Sequence, residues 1–188
     1  MKKINSAILL VMLGLNSILI YSQESKNPHN VSSDDWGADG KDCIVCHPLQ
    51  NSSTEIKYNP LWNNNKSNKN YSIYSSPTLN ANISQPDGSS KLCLSCHDGT
   101  IASNNIGTDL SDDHPVSFTY NSSLSIIDGG LKDPSYSMSG LGGTVEKDLL
   151  TSGKLQCTSC HNPHQSVYPQ NLIMDNEKSE LCFKCHNK

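Results

Sequence analysis

The chain has 188 residues and a formal net charge of −4 at pH 7, from 14 Lys and Arg against 18 Asp and Glu. This balance provides no basic surface for a phosphate backbone, so we expect no nucleic-acid partner. Aromatic residues make up only 6% of the chain, and a polypeptide of this composition has too little apolar volume to build a conventional hydrophobic core alone.

The first 23 residues have the layout of a secretory signal peptide. Two lysines follow the initial methionine, residues 7–20 are apolar, and the chain becomes polar from Glu24 onward. A membrane anchor is the alternative, but the apolar run is short for a bilayer span and is interrupted by Asn16 and Ser17. We predict a signal peptide at 1–23, a single domain at 24–188 that is not integral to the membrane, and a periplasmic or extracellular location.

All eight cysteines lie in four copies of the unit Cys-x-x-Cys-His. Two thiols one helical turn apart can add to the vinyl groups of a haem, and the adjacent histidine can bind its iron, so this unit is the attachment signature of haem c. Zinc, iron–sulfur and disulfide sites use paired cysteines too, but they do not require the histidine. We predict four covalently bound haem c groups, each with its iron. The attachment residues are Cys43, Cys46, Cys93, Cys96, Cys157, Cys160, Cys182 and Cys185, and the proximal iron ligands are His47, His97, His161 and His186.

Three further histidines are candidates for the second axial position of an iron. His164 follows His161 by three residues and cannot reach the opposite face of the same iron, so we expect it on an adjacent haem, the fourth by preference. His114 precedes Pro115, which favours an extended backbone, and apolar residues alternate after it. His29 lies upstream of the first motif.

The histidine count predicts one exceptional iron. Four irons with two histidines each need eight, whereas the chain has seven. The missing ligand is then a methionine, lysine, amine, water or a group from a different protein. Met138, in a Gly/Ser-rich segment predicted to be a flexible loop, and Met174, in an apolar run, are the thioether candidates.

We predict a mostly irregular, haem-organised fold with short α-helices at the motifs, long loops and few short strands. Haems are large apolar bodies and can supply the missing core. One helix should lead into the second motif with a serine cap at Ser89 or Ser90 and Gly99 past its end. Another should lead into the fourth motif with Asn176 as its cap and Glu177 in its first turn.

These motifs resemble the doubled-CXXCH family of exported multihaem c-type cytochromes, and the resemblance extends over nearly the whole mature chain. It implies low-spin haems in a close stack that passes single electrons, and it favours His29, His114 and His164 as iron ligands. Relatives often have histidine where this chain has Gln50 and Asn64, which indicates that the exceptional iron belongs to the first or second motif. The segments that carry the resemblance include residues 28–30, 60–63, 74–79, 91–100, 113–116, 157–164 and 181–186.

The leading functional hypothesis is a tetrahaem c-type cytochrome that is not an enzyme. It would carry single electrons between other redox proteins, its donors and acceptors, through mostly bis-histidine haems. The first alternative is a small-molecule haem reductase at the under-ligated iron, although Gln50 and its neighbours are neutral amides rather than acid–base groups. The second is a subunit that stacks on itself into an extracellular cytochrome filament.

Overall fold

A computed structural model of the chain describes residues 29, 69–164 and 167–187. The predicted signal peptide, the first motif at 43–47, Gln50 and Asn64 lie outside the described residues. Within the described part of the chain, no helix is long and apolar enough to cross a bilayer.

The secondary-structure elements are short and are joined by irregular segments, as predicted. Strands β1 and β2 form a two-stranded parallel sheet, and β3 and β4 form a two-stranded antiparallel sheet in which Phe118 pairs with Leu155. Three 3₁₀ turns also lie within the described ranges. The strands are β1 Ser72–Ile73, β2 Asp109–Leu110, β3 Phe118–Thr119 and β4 Lys154–Leu155; the helices are α1 Gly88–His97, α2 Ser122–Asp128, α3 Val145–Leu149 and α4 Cys182–Cys185; the turns are Cys157–Ser159, Pro169–Asn171 and Glu177–Ser179.

Helix α1 carries the second motif. It begins after Asp87, whose side chain makes no capping hydrogen bond. The predicted serine cap is wrong, because Ser90 lies inside the first turn and its hydroxyl donates to Gln156 at 2.5 Å instead. The predicted end is confirmed: the helix stops at His97, and Gly99 follows with a φ of +89°, a left-handed value that glycine adopts without strain.

The segment before the fourth motif differs from the single helix that the sequence predicts. A 3₁₀ turn begins directly after Asn176 with Glu177 in its first turn, but the Asn176 side chain accepts from the backbone N–H of Leu181 at 3.1 Å rather than from that turn. Lys178 and Ser179 have positive φ values, which break the helical path. The motif itself then forms the separate helix α4.

A small hydrophobic cluster joins β3, β4 and α3. The predicted alternation of Val116, Phe118 and Tyr120 holds only in part. Phe118 and Tyr120 are buried and Thr119 is exposed, but Val116 is half-buried, and Ser117 is buried with a left-handed φ of +66°. Half-buried Cys160 and Cys185 pack against this cluster, so the third and fourth motifs are anchored to it. Its buried members are Phe118, Tyr120, Leu124, Val145, Leu149, Leu155, Met174 and Leu181.

Candidate haem-binding site

Each of the three described motifs includes a helical turn, and two of their cysteines, Cys160 and Cys185, pack against the hydrophobic cluster. The second occupies the end of α1, the third begins with the 3₁₀ turn Cys157–Ser159, and the fourth forms α4. All six described cysteines are free thiols, none of them fully buried. No group of three or more His, Cys, Asp or Glu side chains around one point, as a metal-ion site would have, occurs in the described ranges. Each of these motifs thus supplies two free thiols, the number that attachment to two vinyl groups requires.

Backbone carbonyls orient three of the histidine rings. Nδ1 of His97 lies 2.7 Å from the carbonyl oxygen of Asn104, Nδ1 of His161 lies 3.0 Å from that of Gln170, and Nδ1 of His114 lies 3.0 Å from that of Pro115. A carbonyl can only accept a hydrogen bond, so Nδ1 carries the proton and Nε2 keeps its lone pair. This is the arrangement that metal-binding histidines use to fix their tautomer and ring orientation.

Two pairs of imidazoles from distant parts of the chain lie close together, with angles between the ring planes of 48° for the first pair and 78° for the second. The ring centroids of His29 and His97 are 6.1 Å apart, and those of His114 and His186 are 6.3 Å apart. Two imidazoles on opposite sides of one metal have centroids about 6.4 Å apart, given a metal–nitrogen bond of about 2.0 Å and a ring radius of about 1.2 Å. Both separations therefore fit an iron held between the rings.

Asn171 contacts the distal member of the first pair. Its side chain is buried, and its Nδ2 lies 3.0 Å from Nδ1 of His29. A half-turn of the carboxamide exchanges nitrogen and oxygen without a change of shape, which lets Oδ1 accept from Nδ1–H and leaves Nε2 of His29 available. Burial lowers the pKa of His29, and the nearby rings of His97, His161 and His164 lower it further.

One turn thus orients two histidines from different parts of the chain. In the turn Pro169–Asn171, the carbonyl of Gln170 bonds His161 and the side chain of Asn171 bonds His29. Both turn residues have left-handed backbones, with φ values of +58° and +56°. This conformation directs consecutive polar groups toward two neighbouring rings.

Contacts between thiols show that the third motif adjoins both the second and the fourth. A hydrogen bond with Cys93 lowers the pKa of the Cys157 thiol to about 7, against the opposite effect of burial. Burial raises the pKa of Cys160 to about 11, and the thiols of Cys185, Cys157 and Cys182 add to that rise. The third motif therefore lies near both other described motifs.

Gln156 joins the second motif to the third. This buried side chain accepts from the backbone N–H of Ser90 at 3.1 Å and donates from Nε2 to Asp87 at 2.8 Å. The Ser90 hydroxyl in turn accepts from the backbone N–H of Cys157 at 3.0 Å. Asp87 also pairs with Lys154. Burial raises the pKa of Asp87, but hydrogen bonds from Lys154 and Gln156 outweigh it and leave the pKa below its usual value.

The remaining candidate ligands lie in different surroundings. His164 is exposed, and its backbone N–H donates to Asn162 at 3.0 Å. Met138 lines an open cavity of about 610 Å³ beside Phe183 and Lys184 of the fourth motif, and Met174 is buried in the hydrophobic cluster. The loop after Met138 is closed by hydrogen bonds, since Ser139 donates to the carbonyl of Gly143 at 3.0 Å.

The sequence patterns did not predict the roles of Gln156, Asn171 and the carbonyl of Gln170. Neither Gln156 nor Asn171 belongs to a recognisable sequence motif. Their roles depend on contacts with residues 66 and 142 positions away along the chain. The only local sign is the Pro-Gln-Asn run at 169–171, which is typical of a turn.

Residues 150–188 match the family model of the doubled CXXCH motif. The doubled motif implies covalent binding of haem c. The resemblance inferred from the four motifs is confirmed in this segment, which contains the third and fourth of them, and the doubled motif suggests a haem-binding c-type cytochrome. No curated protein matches the chain.

Proposed function

We propose that this chain is an exported tetrahaem c-type cytochrome that carries single electrons between redox proteins and catalyses no reaction of its own. Haem iron with two imidazole ligands supplies one-electron chemistry. The protein's part is to hold four haems close together and to fill most of their axial positions with histidine.

The observation that carries the proposal is the close approach of two pairs of imidazoles. His29 with His97 and His114 with His186 each join a motif histidine to a histidine outside any motif, at the separation that two axial ligands of one iron require. An iron with both axial positions occupied has no place for a substrate. Such sites favour electron transfer over chemistry on a bound molecule.

The spacing of the motifs supports a continuous electron path. Cys157 contacts Cys93 of the second motif, and Cys160 lies near both thiols of the fourth. Haems attached through these thiols would meet edge to edge. The third haem would then lie between the second and the fourth on the path.

The test is to prepare the exported holoprotein with the haem-attachment machinery, count its haems by pyridine haemochrome and intact mass, and reduce it by potentiometric titration. We expect four haems, four one-electron equivalents, and rapid oxidation and reduction by small redox proteins. A haem count below four would contradict the tetrahaem assignment. Turnover of nitrite, hydroxylamine or peroxide at a steady rate would favour a reductase.

A further inference from the structure

We infer that the iron of the third motif, bound by His161, is the one without a second histidine, and that this iron binds a small exogenous ligand such as water or cyanide. The inference rests on the proposed tetrahaem function. It differs from the sequence expectation, which placed this iron in the first or second motif.

The facing ring pairs decide which irons are complete. His29 lies opposite His97, so the second iron has two histidines. His114 lies opposite His186, so the fourth iron also has two. Of the seven histidines in the chain, these pairs use four and leave His47, His161 and His164.

The third iron stays incomplete whatever His164 does. His47 is the proximal ligand of the first haem by its place in the first motif. His164 is three residues after His161, and Pro163 stiffens the link, so its ring cannot cross to the opposite face of the iron that His161 binds. His164 can therefore complete only the first iron. This assignment also removes it from the fourth iron, where the sequence placed it.

The methionines do not supply the missing ligand. Met138 lies beside Phe183 and Lys184 of the fourth motif, whose iron already has His114 and His186. Met174 has only 8% of its surface exposed and packs with the hydrophobic cluster around Phe118 and Leu155. With both described methionines placed elsewhere, we assign a small ligand from solution to this position.

His161 is nevertheless well oriented as a proximal ligand. Its Nδ1 bonds the carbonyl of Gln170, and its backbone pairs with Leu172 in an isolated antiparallel bridge. The orientation of the His161 ring is therefore fixed. An iron that has His161 as its only histidine would be five-coordinate or bind water, and it would accept cyanide readily.

The test is a cyanide titration of the oxidised holoprotein, followed by absorption and electron paramagnetic resonance spectroscopy. The parent should show one high-spin haem that takes up one cyanide. A Cys157→Ala/Cys160→Ala variant should carry three haems, lose the high-spin signal and bind no cyanide. The matched Cys43→Ala/Cys46→Ala variant should also carry three haems but retain a cyanide site.

Loss of cyanide binding in the first-motif variant, with retention in the third-motif variant, would overturn the inference. So would a four-haem parent that binds no cyanide. If the variants do not fold, nuclear Overhauser contacts in the cyanide complex of the parent decide the matter, because the cyanide-bound haem should contact Leu172. Contacts only with side chains of another motif would contradict it. A three-haem parent with a loaded third motif would contradict the tetrahaem proposal, but the cyanide test would still apply.

Discussion

At the scale of single residues, the hydrogen bonds at Nδ1 determine how the histidines can serve an iron. Carbonyls hold His97, His114 and His161 with Nε2 available, and Asn171 contacts Nδ1 of His29. The motifs alone predict the proximal histidines. They do not predict which distal histidine meets which motif, because that pairing depends on the path of the long segments between them.

The facing rings predict what removal of one distal histidine does. His29→Ala should open the second iron and His114→Ala the fourth, since each removes one axial ligand. Each variant should gain one high-spin haem and one cyanide site relative to the parent, in absorption and electron paramagnetic resonance spectra. An unchanged spectrum in either variant would show that the corresponding ring is not an iron ligand.

Asn171 should influence the reduction potential of the second haem, because its side chain contacts the proposed ligand His29. An aspartate at this position accepts the Nδ1–H bond more strongly and makes the imidazole a better donor to oxidised iron, so Asn171→Asp should lower the potential. Asn171→Gly tolerates the left-handed backbone and removes the acceptor, so it should raise the potential. We expect shifts of tens of millivolts by potentiometry, where about 59 mV corresponds to a tenfold change for one electron. Shifts of the same sign in both variants would contradict this role.

At the scale of elements, the junction between α1 and the third motif depends on buried polar contacts. Sequence patterns predicted a helix at the second motif and its end near Gly99, because glycine in a left-handed backbone is a strong local signal. They did not predict where that helix starts. The Ser90 hydroxyl donates to Gln156, which lies 66 positions further along the chain, instead of capping the helix.

Replacement of Gln156 should weaken this junction. Gln156→Leu leaves the backbone N–H of Ser90 and the carboxylate of Asp87 without their buried partner, which should cost about 1–3 kcal/mol. The measurement is guanidinium unfolding of the holoprotein. Ser89→Ala is the control, because it removes a less buried contact with Thr158 in the same junction. Equal losses in the two variants would argue against a special role for Gln156.

The lowered pKa of Asp87 predicts a pH dependence of stability. A carboxyl whose pKa is lower in the folded state stabilises the fold above its unfolded pKa, and this contribution is lost as the pH falls through the folded pKa. Asp87→Asn should therefore be less stable than the parent at pH 7 and equally stable in strong acid. The effect is limited by screening, because 43% of the side chain is exposed. A constant difference between pH 7 and pH 2 in unfolding experiments would contradict it.

At the scale of the whole molecule, the structure places the third motif near both the second and the fourth. The chain order agrees with this, but the cysteine spacing could not establish it, because the motifs are 64 and 25 residues apart. The thiol contacts of Cys157 and Cys160 supply the missing information. A haem in the middle of the path with an open axial position would link electron flow to whatever small ligand binds it.

The most direct test of this account is an iron-anomalous diffraction map of the oxidised holoprotein. The account predicts four iron peaks, with one between the rings of His29 and His97 and one between those of His114 and His186. A third peak should be bound by His161 and no other histidine. Peaks that pair these histidines differently, or fewer than four peaks, would contradict the account.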